Sequence, residues 1–124
     1  MTGVRVLCID NDRQVREAMT AMLSAEGCAV SAVSDRQELF ASLRDVGADV
    51  VVADYHLDDG DTGIDALQWA FDRLAWRCPC VMVSADDGAN VKELARGVGF
   101  RSLPKPVNPE RLKALILALA TETP

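Results

Sequence analysis

Short runs of β-branched and apolar residues alternate with longer stretches whose apolar positions recur every three or four residues, five times along the chain. Val4-Arg5-Val6-Leu7-Cys8-Ile9 reads as the first strand. The helix after it carries Val15, Ala18, Met19, Met22 and Leu23 inward, with Gly27 where a helix stop is expected. Ala29 to Val33 forms the second strand, and Ser34-Asp35-Arg36-Gln37 has the form of a capping box, Ser34 at the cap and Gln37 three residues on. The helix it opens turns Leu39, Phe40 and Leu43 inward. Asp49 to Ala53 is apolar after its first residue, without alternation, as expected of a strand covered on both faces. After the polar loop His56 to Gly63 comes a helix with Ile64, Leu67, Trp69, Ala70 and Leu74, then a strand from Cys80 to Ser84. A weaker helix covers Asn90 to Gly97, and a short strand near Arg101 to Leu103 runs into Pro104-Lys105-Pro106. Asn108, Pro109 and Glu110 are the cap, first position and acidic first turn of a last helix, which carries Leu112, Leu115, Ile116 and Leu119; Thr121 to Pro124 reads as a frayed tail.

Five such units with no second architecture imply a doubly wound α/β sandwich: a five-stranded parallel sheet with helices on both faces. Its functional groups are expected at the carboxyl ends of the strands, near the point where strand order reverses.

A length of 124 residues matches one domain, spanning 1–124. With 19 acidic against 13 basic residues the net charge is −6, which argues against a nucleic-acid-binding surface. No apolar run approaches the roughly 18 residues of a membrane helix, and the amino terminus lacks a signal-peptide layout. A cytoplasmic domain without membrane contact is the expectation. Cys8, Cys28, Cys78 and Cys80 lack paired C-x-x-C spacing, and the chain has one histidine. All four therefore read as small hydrophobes in a reducing compartment, with Cys78 and Trp76 simply packing.

The strand ends carry the chemistry. Asp10-Asn11-Asp12 follows the first strand, Asp54 ends the third, Ser84-Ala85-Asp86-Asp87 ends the fourth and Lys105 follows the fifth. Carboxylates crowded on one rim raise one another's pKa unless a cation sits among them. Oxygen donors with room for water suit magnesium. No G-x-G-x-x-G follows the first strand and no G-x-x-x-x-G-K-[ST] occurs, so dinucleotide and nucleoside-triphosphate cradles are excluded. Asp10 and Asp12 would repel a flavin phosphate, and with His56 the only histidine, no Ser-His-Asp set presents itself.

Those residues, in that order and spacing over nearly the whole chain, resemble the receiver domain of two-component response regulators. The resemblance implies a flavodoxin-like (βα)5 fold and a signalling module that promotes its own phosphorylation and dephosphorylation, not an enzyme in its own right. It further implies that Asp54 is the phosphoacceptor, receiving a phosphoryl group from a histidine kinase or a histidine phosphotransfer domain. Asp10, Asp54 and the backbone carbonyl of His56 would hold Mg2+, Lys105 would pair with Asp54 and then with the phosphoryl group, and Ser84 would hydrogen-bond that group. The Lys105-Pro106 bond would be cis, and a homodimer would use the fourth and fifth βα units. Asp12 reads as a helix cap in preference to a ligand, and Asp58, Asp59 and Asp61 as a solvated turn.

Some positions depart from the family. Asn11 stands where many receivers carry Asp, so that it offers the metal at most a neutral oxygen. Ser102 occupies the position of the usual aromatic switch residue, with Phe100 two residues earlier. The Asp10-Asn11-Asp12 opening, the loop from Tyr55 to Gly63 and the Leu103-to-Val107 ending particularly resemble the C-terminal receivers of hybrid sensor histidine kinases, which would make the parent chain a kinase. Without a DNA-binding output domain, the segment reads as a stand-alone receiver or one taken from a longer protein. Two other readings stand beside the phosphoacceptor. One is a phosphorylation-independent interaction module. The other is a small phosphatase of the haloacid-dehalogenase type, which shares the D-x-D start but prefers Thr or Val where this chain has Arg13.

Overall fold

The computed structural model describes residues 1–85 and 89–121, so Asp86, Asp87 and the tail 122–124 lie outside the described residues. Strands β1 (Arg5–Ile9), β2 (Ala29–Val33), β3 (Val50–Asp54), β4 (Cys80–Ser84) and β5 (Arg101–Pro104) alternate with helices α1 (Arg13–Ser24), α2 (Arg36–Asp45), α3 (Gly63–Leu74), α4 (Ala89–Gly97) and α5 (Pro109–Thr121). All strand pairings are parallel, in the spatial order β2-β1-β3-β4-β5. This is the flavodoxin-like doubly wound sandwich that the alternation implied.

Successive strand residues point to opposite faces, and each face has its own core. Leu7, Ile9, Val51, Ala53 and Met82 pack with Leu39, Leu43, Leu67, Phe71 and Ala95, that is, under α2, α3 and α4. Val6, Cys8, Val50, Val52 and Val81 pack with Leu23, Leu112 and Ile116 beneath α1 and α5. The apolar run of β3 follows from this double covering: Val50 to Ala53 are all buried.

Local chemistry sets the helix starts, with one correction. Asp35, not Ser34, caps α2: its carboxylate accepts the backbone N–H of Glu38 at 2.9 Å. Glu38 in turn accepts the Ser34 backbone N–H at 2.8 Å and its hydroxyl at 3.0 Å. The cap therefore sits one residue later than expected, and Glu38 takes the place of Gln37 in reaching back to Ser34, its charged oxygen making the stronger hydrogen bonds. Asn108 caps α5 as expected, accepting the backbone N–H groups of Glu110 and Arg111. Gly27 does not end α1 directly; it lies three residues beyond Ser24, at φ +89°, where the chain turns into β2.

Candidate functional site

Strand order reverses at β1, which lies between β2 and β3, so the crevice beyond the carboxyl ends of β1 and β3 is where the fold places a ligand. Asp10 leaves β1 and Asp54 ends β3, and Lys105 reaches both from the end of β5. Its Nζ lies 3.3 Å from Asp54 Oδ1 and 3.6 Å from Asp10 Oδ2. Both carboxylates are nearly covered, with side chains about a tenth exposed. The Lys105 backbone is fixed too: its N–H donates to the Ser84 carbonyl at 2.9 Å, and the Lys105-Pro106 bond is cis.

Two anions therefore face one ammonium in a partly desolvated crevice. Burial pushes the Asp54 carboxyl up from its ordinary pKa, and Asp10 adds to the rise; Lys105 and the His56 backbone N–H, which donates to the carboxylate, oppose it. Surplus negative charge of this kind is relieved by a cation.

The surroundings decide which groups can take part. Asp10 Oδ1 accepts the Asp12 backbone N–H at 2.8 Å, and the Asp12 carboxylate caps α1 by accepting from Gln14 N. Asp12 is thus a cap, as expected. Asn11 Nδ2 donates to Asp58 Oδ1 at 2.8 Å, bridging the first loop to the single 3-10 turn Asp58–Gly60. Ser84 is buried, one residue beyond Val83, which is the register partner of Asp54. Ser102 is half-buried on β5, and Phe100 lies in the core with Arg77 over its ring at 5.6 Å. The aromatic near β5 is accordingly a packed core residue and not a surface rotor.

The acidic loop departs from the solvated turn expected of it at Asp61. Asp61 is held by the fork of Arg36, through Nε to Oδ2 at 2.9 Å and through Nη2 to Oδ1. Arg36 also lies over Trp69, 5.2 Å from the ring centre, so the start of α2 is clamped to the loop entering α3. Asp58, which Asn11 engages, and Asp59, at φ +59°, are both exposed and keep the solvated turn expected of them. Arg16 was missed as well: its Nη1 donates to the Asp10 carbonyl at 2.8 Å, a backbone contact with no sequence signal.

Gly63 is indispensable to the geometry. A β-carbon there would run into the Asp54 carbonyl oxygen, Met82 Sδ and the Ala53 side chain, since α3 starts directly against the end of β3. The Gly63 N–H donates to the Tyr55 carbonyl at 2.8 Å in that close approach.

A family model of the response regulator receiver domain matches residues 6–117. The chain belongs to the response regulator receiver family. A receiver is a signalling domain of two-component systems. The chain is 29% identical over 119 residues to the transcriptional regulatory protein GltR of Pseudomonas aeruginosa; the match covers 94% of this chain and 49% of that protein. The receiver thus spans about half the length of this curated relative. In fold it resembles the Francisella response regulator 1452 receiver domain (TM-score 0.88, 21% identity, covering 98% of this chain and 100% of that one). It also resembles the chemotaxis protein CheY4 of Vibrio cholerae (TM-score 0.84, 22% identity, 95% and 99%). Among the described residues, no helix of the receiver is long and apolar enough to cross a membrane.

Proposed function

We propose that this receiver accepts a phosphoryl group on Asp54 from a phosphohistidine of a histidine kinase or phosphotransfer domain. The observation that carries the reading is the single ammonium of Lys105 set between the Asp10 and Asp54 carboxylates. Asp54 Oδ attacks phosphorus in line as the bond to the imidazole nitrogen breaks, and the histidine leaves carrying its electron pair. Lys105 and the His56 N–H orient the nucleophile, and Lys105 then balances charge on the phosphoryl oxygens. Ser84, buried at the neighbouring strand end, would donate its hydroxyl to the same group.

The donor set fits a hard divalent cation. Asp10 and Asp54 supply oxygen only, and the Asp54 carboxyl is raised by burial first and by the Asp10 charge second, both of which a bound cation would offset. No group of three or more His, Cys, Asp or Glu side chains arranged for a metal exists among the described residues, so the remaining ligands would be the His56 carbonyl and water. Bound Mg2+ would neutralise charge developing on the transferred phosphoryl oxygens.

A phosphorylation-independent interaction module is the second reading, favoured by Asn11, whose amide is engaged with Asp58. The parent protein is open in the same way. The sequence features point to a hybrid sensor kinase, while the likeness to GltR points to a transcriptional regulator; the coding sequence on either side decides between them. Function is tested by incubation with acetyl phosphate and Mg2+. Acid-labile phosphate on Asp54, abolished in Asp54→Asn, is expected; phosphate on another residue, or none, overturns the phosphoacceptor reading.

A further inference from the structure

At the amino ends of the strands, opposite the phosphoacceptor crevice, Cys78 and Cys80 flank Pro79 at the entrance to β4. Residues two apart on extended chain share a face. Both thiols accordingly join the core beneath α2, α3 and α4, Cys80 inside it and Cys78 packed against its edge. The Cys80 thiol turns back toward Cys78, its Sγ donating to the Cys78 carbonyl oxygen at 3.4 Å. Two residues of extended chain rise about 6.6 Å, within the Cα separations of about 4.4–6.8 Å that a disulfide spans.

The surroundings divide the two roles. Cys78 is half-buried, whereas Cys80 is 1% exposed. The neighbouring Cys80 thiol holds the Cys78 thiol below its ordinary pKa, helped by the charge of Arg5 and opposed by burial and Asp49. Arg5 and Asp49 are themselves paired, Nη2 to Oδ1 at 3.2 Å. Cys80 is pushed up by burial and stays protonated, with Arg77 the nearby cation. A partly exposed thiol beside a buried one is the arrangement of an oxidation-sensitive pair, the outer sulfur meeting the oxidant and the inner one lying ready to resolve it. Cys8 supplies the internal contrast, since burial pushes its thiol up to about 12.

We propose that Cys78 is a hydroperoxide-sensitive modification site and Cys80 its resolving thiol, closing a Cys78–Cys80 disulfide. The Cys78 thiolate attacks the outer peroxide oxygen, the O–O bond breaks, and the departing alkoxide or hydroxide takes a proton, leaving Cys78 as sulfenic acid. The Cys80 sulfur then attacks the Cys78 sulfur, the S–O bond breaks, and the hydroxyl leaves as water with the Cys80 proton. Two thiols lose two electrons and one hydroperoxide gains them. The ring encloses Pro79, whose carbonyl accepts the Val51 N–H at 3.0 Å, so oxidation acts on the pairing of β3 with β4.

The test treats the intact receiver with hydrogen peroxide, alkylates it under denaturing, non-reducing conditions and digests it with trypsin. Cys78 and Cys80 fall in one peptide, 78–92, while Cys8 and Cys28 fall in two others. Peptide 78–92 is expected to lose about 2 Da, to resist alkylation and to recover with dithiothreitol. It should do so at least about tenfold faster than Cys8 or Cys28 is oxidised. Cys80→Ala should leave a sulfenic acid on Cys78 that dimedone traps. Cys78→Ser, at the half-buried position, should protect Cys80 and keeps the test decisive if the core variant does not fold. Free thiols at both positions after peroxide, oxidation of Cys8 or Cys28 at the same rate, or unprotected Cys80 in Cys78→Ser overturns the proposal.

Discussion

Asp54 is charged at a cost to the fold. Its pKa is raised above the ordinary carboxylate value of 3.8, burial first and Asp10 second. A carboxyl raised in the folded state binds more protons folded than unfolded between 3.8 and its raised value. Its contribution to stability is therefore fully present below 3.8 and is lost as pH rises through the folded pKa. Asp54→Asn removes that dependence. In the absence of metal the variant should melt roughly 3 °C above wild type at pH 7, which for a chain of this size is under ~1 kcal/mol, and the gap should close below pH 3.8. A gap independent of pH would mean that the Asp54 charge is not the source.

Asn11 is the second residue with a signed expectation. Its amide donates to Asp58, so Asn11→Asp replaces a donor with an anion facing Asp58 and adds a carboxylate beside Asp10 and Asp54. Metal-free stability should fall by about 1 kcal/mol. The added charge should raise Mg2+ affinity roughly tenfold, about 1.4 kcal/mol, the size expected for one more charge at an effective dielectric near 20. Thermal melts with and without Mg2+ check both signs, and unchanged affinity would mean that position 11 does not face the cation.

Among elements, the contact of α3 with β3 bears most on the site. Gly63→Ala at the first position of a helix would ordinarily stabilise by less than the roughly 1 kcal/mol of an interior site. Here the new methyl meets the Asp54 carbonyl, Met82 and Ala53; all three lie on strands, and the two on β3 cannot yield without moving Asp54. A loss of about 1–3 kcal/mol by urea denaturation, with slower Asp54 phosphorylation, is expected. A stabilised variant would show that α3 can back away. The strands, the helices and the meeting of Asp10, Asp54 and Lys105 were legible because period and strand-end position are local signals. The cap of α2 was displaced by one residue because Ser34 and Asp35 are both good caps, and only the reach of Glu38 selects between them. Asp61 was misread for a different reason. Its partner Arg36 is 25 residues away, and nothing in an acidic loop names a distant guanidinium.

For the whole molecule the question is where the charge lies. The net charge is −6, yet the groove of about 810 Å³ among α4, β5 and α5 is lined by Lys92, Arg96, Arg101 and Arg111 over an apolar floor that includes Phe100 and Leu115, with no carboxylate in its lining. Glu93 pairs with Arg96 of the groove itself at 3.6 Å, while Glu110 pairs with Lys113 outside it, so the positive charge of the lining is offset only in part. A two-fold contact sets a patch against its own copy, so a dimer through this face brings basic side chains against basic ones. At 0.1 M salt the screening length is about 10 Å, too long to remove repulsion between groups in contact. The charge therefore works against the homodimer that the fourth and fifth units suggested. The unphosphorylated receiver should sediment as a monomer at low ionic strength, and any self-association through this groove should strengthen as salt is added. A dimer at about 20 mM salt that dissociates as salt rises would show the opposite: complementary ion pairs, with acidic residues of one copy reaching the groove of the other.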